Sequence, residues 1–145
     1  MLNGVSPGCG TPALKKGGDS MLGAIHHVAI IVSDYERSRA FYVDTLELPV
    51  IRENYREKQG NWKLDLRIGG CELEIFSGPN APARPNYPEA LGLRHLAFAV
   101  ESFAETVQWL EAKGVACEPV RMDEITGKPM TFFKDPDGLP LEINE

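Results

Sequence analysis

Short apolar blocks and alternating apolar–polar stretches run along most of this chain, and they recur in the same order twice. Ile25–Val32 is an apolar block that predicts a strand. Ser33-Asp34 offers helix caps, and a helix is expected over Tyr35–Leu46, with Ala40, Phe41 and Val43 turned inward. Pro49 marks its exit, and Val50–Arg56 predicts a second strand. Over Trp62–Ile68, Leu64, Leu66 and Ile68 alternate with Lys63, Asp65 and Arg67, the period of a strand, and Gly69-Gly70 closes a hairpin into Cys71–Phe76. Pro79, Pro82, Pro85 and Pro88 then exclude a helix and predict a connecting loop or lid over residues 78–91. The order repeats: a strand at Leu93–Val100, a helix capped by Ser102 that runs to Lys113 and stops at Gly114, and strands at Ala116–Met122, Met130–Lys134 and Leu139–Asn144. Residues 1–20 are rich in Gly, Pro, Ser and Lys without periodicity and read as a flexible tail, with Met21 a sensible native start.

The two halves, about 24–77 and 92–144, are offset by 68 positions, so that His27 corresponds to His95 and Glu74 to Glu142. Each His is followed by a bulky apolar residue and then Ala, and each Glu lies between two aliphatic residues, Leu73/Ile75 or Leu141/Ile143. A self-similarity this long is an internal duplication of a structural unit, predicting two βαβββ halves within one domain over 22–145. Because strand side chains alternate between faces, His27, Ala29 and Ile31 share one face, as do His95, Ala97 and Ala99. The small residues leave room above the histidines, while the bulkier alternate set suits the helix-covered core. A glutamate bracketed by two core residues must point away from that core. A lone strand histidine is more often structural than ligating, and a lone glutamate on a terminal strand is usually solvated. Duplication shifts the balance: His27, Glu74, His95 and Glu142 form a candidate metal set, expected to converge in one concave interior. Gathering two carboxylates there calls for a cation. Two imidazoles and two carboxylates suit Zn, Ni, Co, Mn or Fe. His26 and Glu72 are the near competitors, but their repeat partners are Arg94 and Pro140.

Composition narrows the picture modestly. With 43% hydrophobic and 25% charged residues the chain has an ordinary globular balance, and its net charge of −6 without a basic run argues against nucleic acid. No apolar run reaches the roughly 20 residues of a membrane span. Cys9, Cys71 and Cys117 show no CxxC spacing, which reads as reduced thiols and a cytoplasmic location.

From about Leu22 onward the chain resembles the vicinal oxygen chelate superfamily, which includes glyoxalase I, the bleomycin resistance proteins and ring-cleaving dioxygenases. The resemblance is carried by His27-Val28-Ala29-Ile30, Phe41-Tyr42, Leu73-Glu74-Ile75, Arg94-His95-Leu96-Ala97-Phe98 and, most specifically, Asp135-Pro136-Asp137-Gly138-Leu139-Pro140-Leu141-Glu142. It implies an α+β fold of paired βαβββ modules forming a curved mixed sheet around one divalent metal, foremost Zn or Ni, and frequent homodimers. The His/Glu/His/Glu set is similar to that of bacterial glyoxalase I. The chain departs from glyoxalase I at Ile31, where an arginine for the glutathione carboxylate is usual, and at Leu46-Glu47, where Leu-Gly is usual.

The expected activity is that of a metal-dependent isomerase or lyase acting on a small vicinal-oxygen substrate through an enediolate, with Glu74 or Glu142 as general base. Alternatives are a non-catalytic binding protein using the same cavity, and a metal-dependent thiol transferase or epimerase. Arg56, Lys63 and Arg84 are candidates for an anionic substrate group and Trp62 for an apolar wall, though each is also an ordinary surface or core residue.

Overall fold

The computed structural model describes residues 21–145, so the expected tail at 1–20 lies outside the described residues. In the first half the order is β1 (His27–Val32), α1 (Tyr35–Arg39), a π-helical segment (Ala40–Thr45), β2 (Val50–Arg56), β3 (Asn61–Ile68) and β4 (Cys71–Ser77). In the second it is β5 (Leu96–Ala99), α2 (Phe103–Ala112), β6 (Arg121–Met122), β7 (Pro129–Lys134) and β8 (Pro140–Asn144). Each half makes its own four-stranded mixed sheet, in the orders β1-β4-β3-β2 and β5-β8-β7-β6. The first strand of each half runs parallel to the last, and the hairpins between them are antiparallel. The fold is α+β, and among the described residues eight strands form two four-stranded sheets.

Four expectations need correcting. The first helix is not uniform: Asp34 caps Arg37 N–H, but after Arg39 the chain widens into π-helix, with Leu46 N–H donating to Phe41 O at 2.9 Å. The extra residue per turn re-aims the side chains, so Tyr35, Ser38 and Tyr42 are buried, whereas Ala40 is exposed and Phe41 and Val43 only half-buried. The strand expected at Ala116–Met122 pairs only at Arg121–Met122, though Glu118 N–H reaches Phe132 O at 2.8 Å. His95 lies just before β5 rather than inside it. Trp62 lies on the Leu64/Leu66 side of β3, opposite the face of Lys63 and Asp65, and stacks on Tyr35 with centroids 5.2 Å apart.

One core runs through both halves, from Val32, Tyr42, Leu64, Leu66, Leu73 and Ile75 to Leu110, Leu141 and Ile143. The Asp135–Gly138 turn does more than reverse the chain. Buried Asp135 accepts from Tyr42 Oη at 2.8 Å and from the N–H groups of Asp137 and Leu139 at 2.9 and 2.8 Å. Asp137 accepts from the backbone N–H of Ser33 at 2.9 Å and from its hydroxyl. This turn of the second half therefore clamps both ends of the first half's helical crossover. Burial pushes the Asp135 carboxyl above its usual range, and the three donors oppose that rise. Among the described residues no helix is long and apolar enough to cross a membrane.

Candidate metal centre

Register decides what faces what. In the first sheet His27 lies opposite Glu72 and Ala29 opposite Glu74, while Glu74 is also paired with Asp65 across β3. His27 Nε2 stands 3.8 Å from Glu74 Oε2. In the second sheet Ala97 pairs with Glu142, Phe132 occupies the β7 position opposite it, and His95 Nε2 lies 2.8 Å from Glu142 Oε2. The predicted residues thus form two His–Glu pairs at matching places, each on the last strand of a sheet and at the edge strand beside it. Ala29, Ala97 and Ala99 are exposed, so the face above each pair is open, as the small residues implied.

Within one chain the pairs do not merge. Among the described residues the only group of three or more His, Cys, Asp or Glu with ligand atoms within 4.8 Å of one another is Asp65, Glu72 and Glu74. Two cations already stand against the three carboxylates of that cluster. Asp65, 1% exposed, is paired with Arg52 and lies 3.2 Å from Lys63 Nζ. Arg52 also reaches Glu72 at 2.8 Å, and Lys63 reaches Glu74 Oε1 at 2.9 Å. Burial disfavours the Lys63 ammonium, but its bonds to Glu74 and Asp65 more than offset this and raise its pKa. Lys63 therefore serves to fix Glu74, not to offer a free cation.

The duplicated glutamates sit in unlike surroundings. Glu74 is held by an ammonium, whereas Glu142, 7% exposed, accepts from the Asn144 amide at 2.7 Å and faces His95 and the Phe132 ring. Phe132 and His95 meet edge to face at 5.2 Å. Asp65 and Phe132 occupy the same place in the two sheets although their numbers differ by one less than the repeat offset. Sequence reasoning missed Lys63 and Asp65 as partners of Glu74. A signal existed: with a two-residue Gly69-Gly70 turn, residues 65 and 74 must face each other. Arg56 is half-buried, its Nε donating to Asn61 at 2.9 Å and its guanidinium 4.7 Å above the Phe76 ring.

Two βαβββ units, each presenting an imidazole beside a carboxylate on an open sheet face, define a paired-module α+β class of protein. The family profile described as the Glyoxalase/Bleomycin resistance protein/Dioxygenase superfamily matches residues 24–143, and the chain belongs to that superfamily. It is 56% identical over 126 residues to the protein YwkD of Bacillus subtilis, covering 86% of this chain and 98% of YwkD. The crystal structure of a glyoxalase family protein from Enterococcus faecalis superposes with a TM-score of 0.82 at 54% identity, covering 87% of this chain and all of that one. More distantly, the chain is 27% identical over 123 residues to the metallothiol transferase FosB of Staphylococcus epidermidis, covering 83% and 80% of the two chains.

Proposed function

We propose that the protein is a divalent-metal-dependent enzyme of the isomerase or lyase kind, acting on a small substrate with vicinal oxygens, and that its site is completed between two copies of the chain. The observation that carries this reading is the pair of half-sites. Each offers one imidazole nitrogen and one carboxylate, too few for a tightly held ion, and the two lie apart within a chain. Among the described residues β1 and β5 are edge strands whose outer sides have no partner strand. A two-fold axis that sets the β1 edge of one copy beside the β5 edge of the other brings His27 and Glu74 to His95 and Glu142 of its partner, twice per dimer. The donor set fits the ion: two nitrogens and two anionic oxygens satisfy Zn, Ni, Mn, Co or Fe, and the exposed alanines leave space for substrate.

When bound, such an ion polarises adjacent substrate oxygens and acidifies the C–H between them. The chain's own residues divide the remaining work. Glu74, tied to Lys63, is the fixed ligand. Glu142, held by the neutral Asn144 amide, is the carboxylate that can swing away to take a proton from one carbon and return it to the next. His27 and His95 hold position. The metal named in FosB, a thiol transferase, supports a metal at this fold's site and keeps transfer of a thiol as the second reading.

The test is subunit complementation read as bound metal, which needs no known substrate. H27A and H95A proteins should each lose metal. Co-refolded in equal amounts, half the dimers are mixed, and each mixed dimer has one intact site of two. Bound metal should therefore return to about a quarter of the wild-type load. No recovery on mixing would overturn the shared site, and full metal retention by both single variants would overturn the ligand assignment.

A further inference from the structure

Beside His95 lies a cavity of about 160 Å³ between the 84–90 stretch of the proline-rich loop and the open face of the second sheet. Arg84, Arg94, Arg121 and Lys134 line it, against the carboxylates of Glu89 and Glu118, in a chain whose overall charge is −6. Two of the cations are answered: Arg94 pairs with Glu89 at 3.0 Å and Arg121 with Glu118 at 3.5 Å, and the Arg121 guanidinium also sits 5.3 Å above the Phe132 ring. Two are not. Among the described residues Lys134 has no ion-pair partner, and Arg84 meets only neutral groups, its Nε donating to Asn86 at 2.7 Å and its Nη2 to the carbonyls of Leu93 and Arg94 at 3.2 and 3.1 Å.

The roof is fixed in place. Asn86 donates to Gly138 O at 2.9 Å, so Arg84 and Asn86 bind the loop to the segment preceding β5 and to the Asp135–Gly138 turn. A guanidinium locked this way projects its remaining N–H groups in a set direction, which lowers the ordering cost of binding an anion. The volume suits a carboxylate or phosphate group with a short stem and falls below the roughly 300 Å³ that encloses a drug-sized ligand.

We propose that this cavity is an oxyanion subsite, where Arg84 and Lys134 hold a carboxylate or phosphate group of the substrate while its oxygenated carbons lie toward His95. Placing the group on the substrate rests on the metal reading above, but the anion site itself does not. The substrate class is thus a small anionic compound bearing vicinal oxygens.

The experiment is calorimetric titration of the full chain, stripped of metal with EDTA, using inorganic phosphate and acetate as separate probes. Saturable binding is expected, with the tighter probe identifying which oxyanion the cavity fits. Lys134→Met should weaken it about ten-fold, the effect of losing one charge-assisted hydrogen bond, and Lys134→Arg should restore it. Arg84→Met should weaken it as well. Lys134 lies in the exposed end of β7, so its variants keep the fold and carry the decision. Saturation by neither probe, or wild-type affinity in Lys134→Met, would overturn the proposal. Because metal is absent throughout, this outcome is independent of the complementation result.

Discussion

Tyr42→Phe removes one oxygen from a fully buried side chain and so tests the joint between the halves with little change in packing. The ring volume is retained, and the only hydrogen bond lost is the 2.8 Å contact to Asp135. A bond to a charged acceptor contributes about 1.5–3 kcal/mol. Both backbone donors to Asp135 go to Oδ1, so Oδ2 loses its donor, and a loss of about 2 kcal/mol is expected at neutral pH. With a urea m-value of about 2 kcal/mol/M for a chain of this size, the unfolding midpoint should drop by about 1 M. The pH dependence supplies a second check. The Asp135 carboxyl is raised by burial, so its folded-state pKa exceeds the unfolded one, and folding gains stability as pH falls through the folded value. The tyrosine bond favours the charged form, so its contribution is full above that value and shrinks below it. The gap between Tyr42→Phe and wild type should therefore narrow on acidification. A neutral-pH loss under about 0.5 kcal/mol, or a gap that widens in acid, would refute the account of the joint.

Other outcomes follow from named contacts. Glu47 has φ of 55°, a left-handed conformation that costs a residue with a Cβ about 1 kcal/mol, and it makes a surface pair with Lys113 at 2.5 Å. Glu47→Gly should therefore leave stability unchanged or raise it by up to about 1 kcal/mol, read from the melting temperature. Glu53 is held below its usual range by Arg39 and by the Tyr35 hydroxyl, with burial opposing. Its lowered pKa gives stability that is present above the ordinary glutamate value and lost as pH falls through the folded one, so Glu53→Gln should flatten the acid limb of the stability profile.

Much of the fold was legible because duplication reads the pattern twice. The Leu64/Leu66/Ile68 alternation and the Gly69-Gly70 turn located a hairpin, and the alanines after each histidine marked the open face. The first helix was misread because a π-helical segment inserts a residue that no 3.6-residue period can reveal, and this moved Tyr42 into the core. The strand expected over Ala116–Met122 is shorter because Pro119 has no N–H for a ladder and Val120 is the segment's one β-branched residue, so pairing begins only at Arg121. For the candidate site, strand parity placed each His with its Glu, but how the two halves sit relative to each other depends on the Tyr42–Asp135 and Ser33–Asp137 bonds. Those join residues about a hundred positions apart, and no local pattern encodes them.

The turn that grips Tyr42 and Ser33 links the two halves by hydrogen bonds that do not run through the covalent bridge at 78–91. The two halves share one apolar interior and are stitched by side chains on either side of it. A chain cut within the bridge should therefore keep its two halves associated in solution, read by sedimentation of the nicked protein.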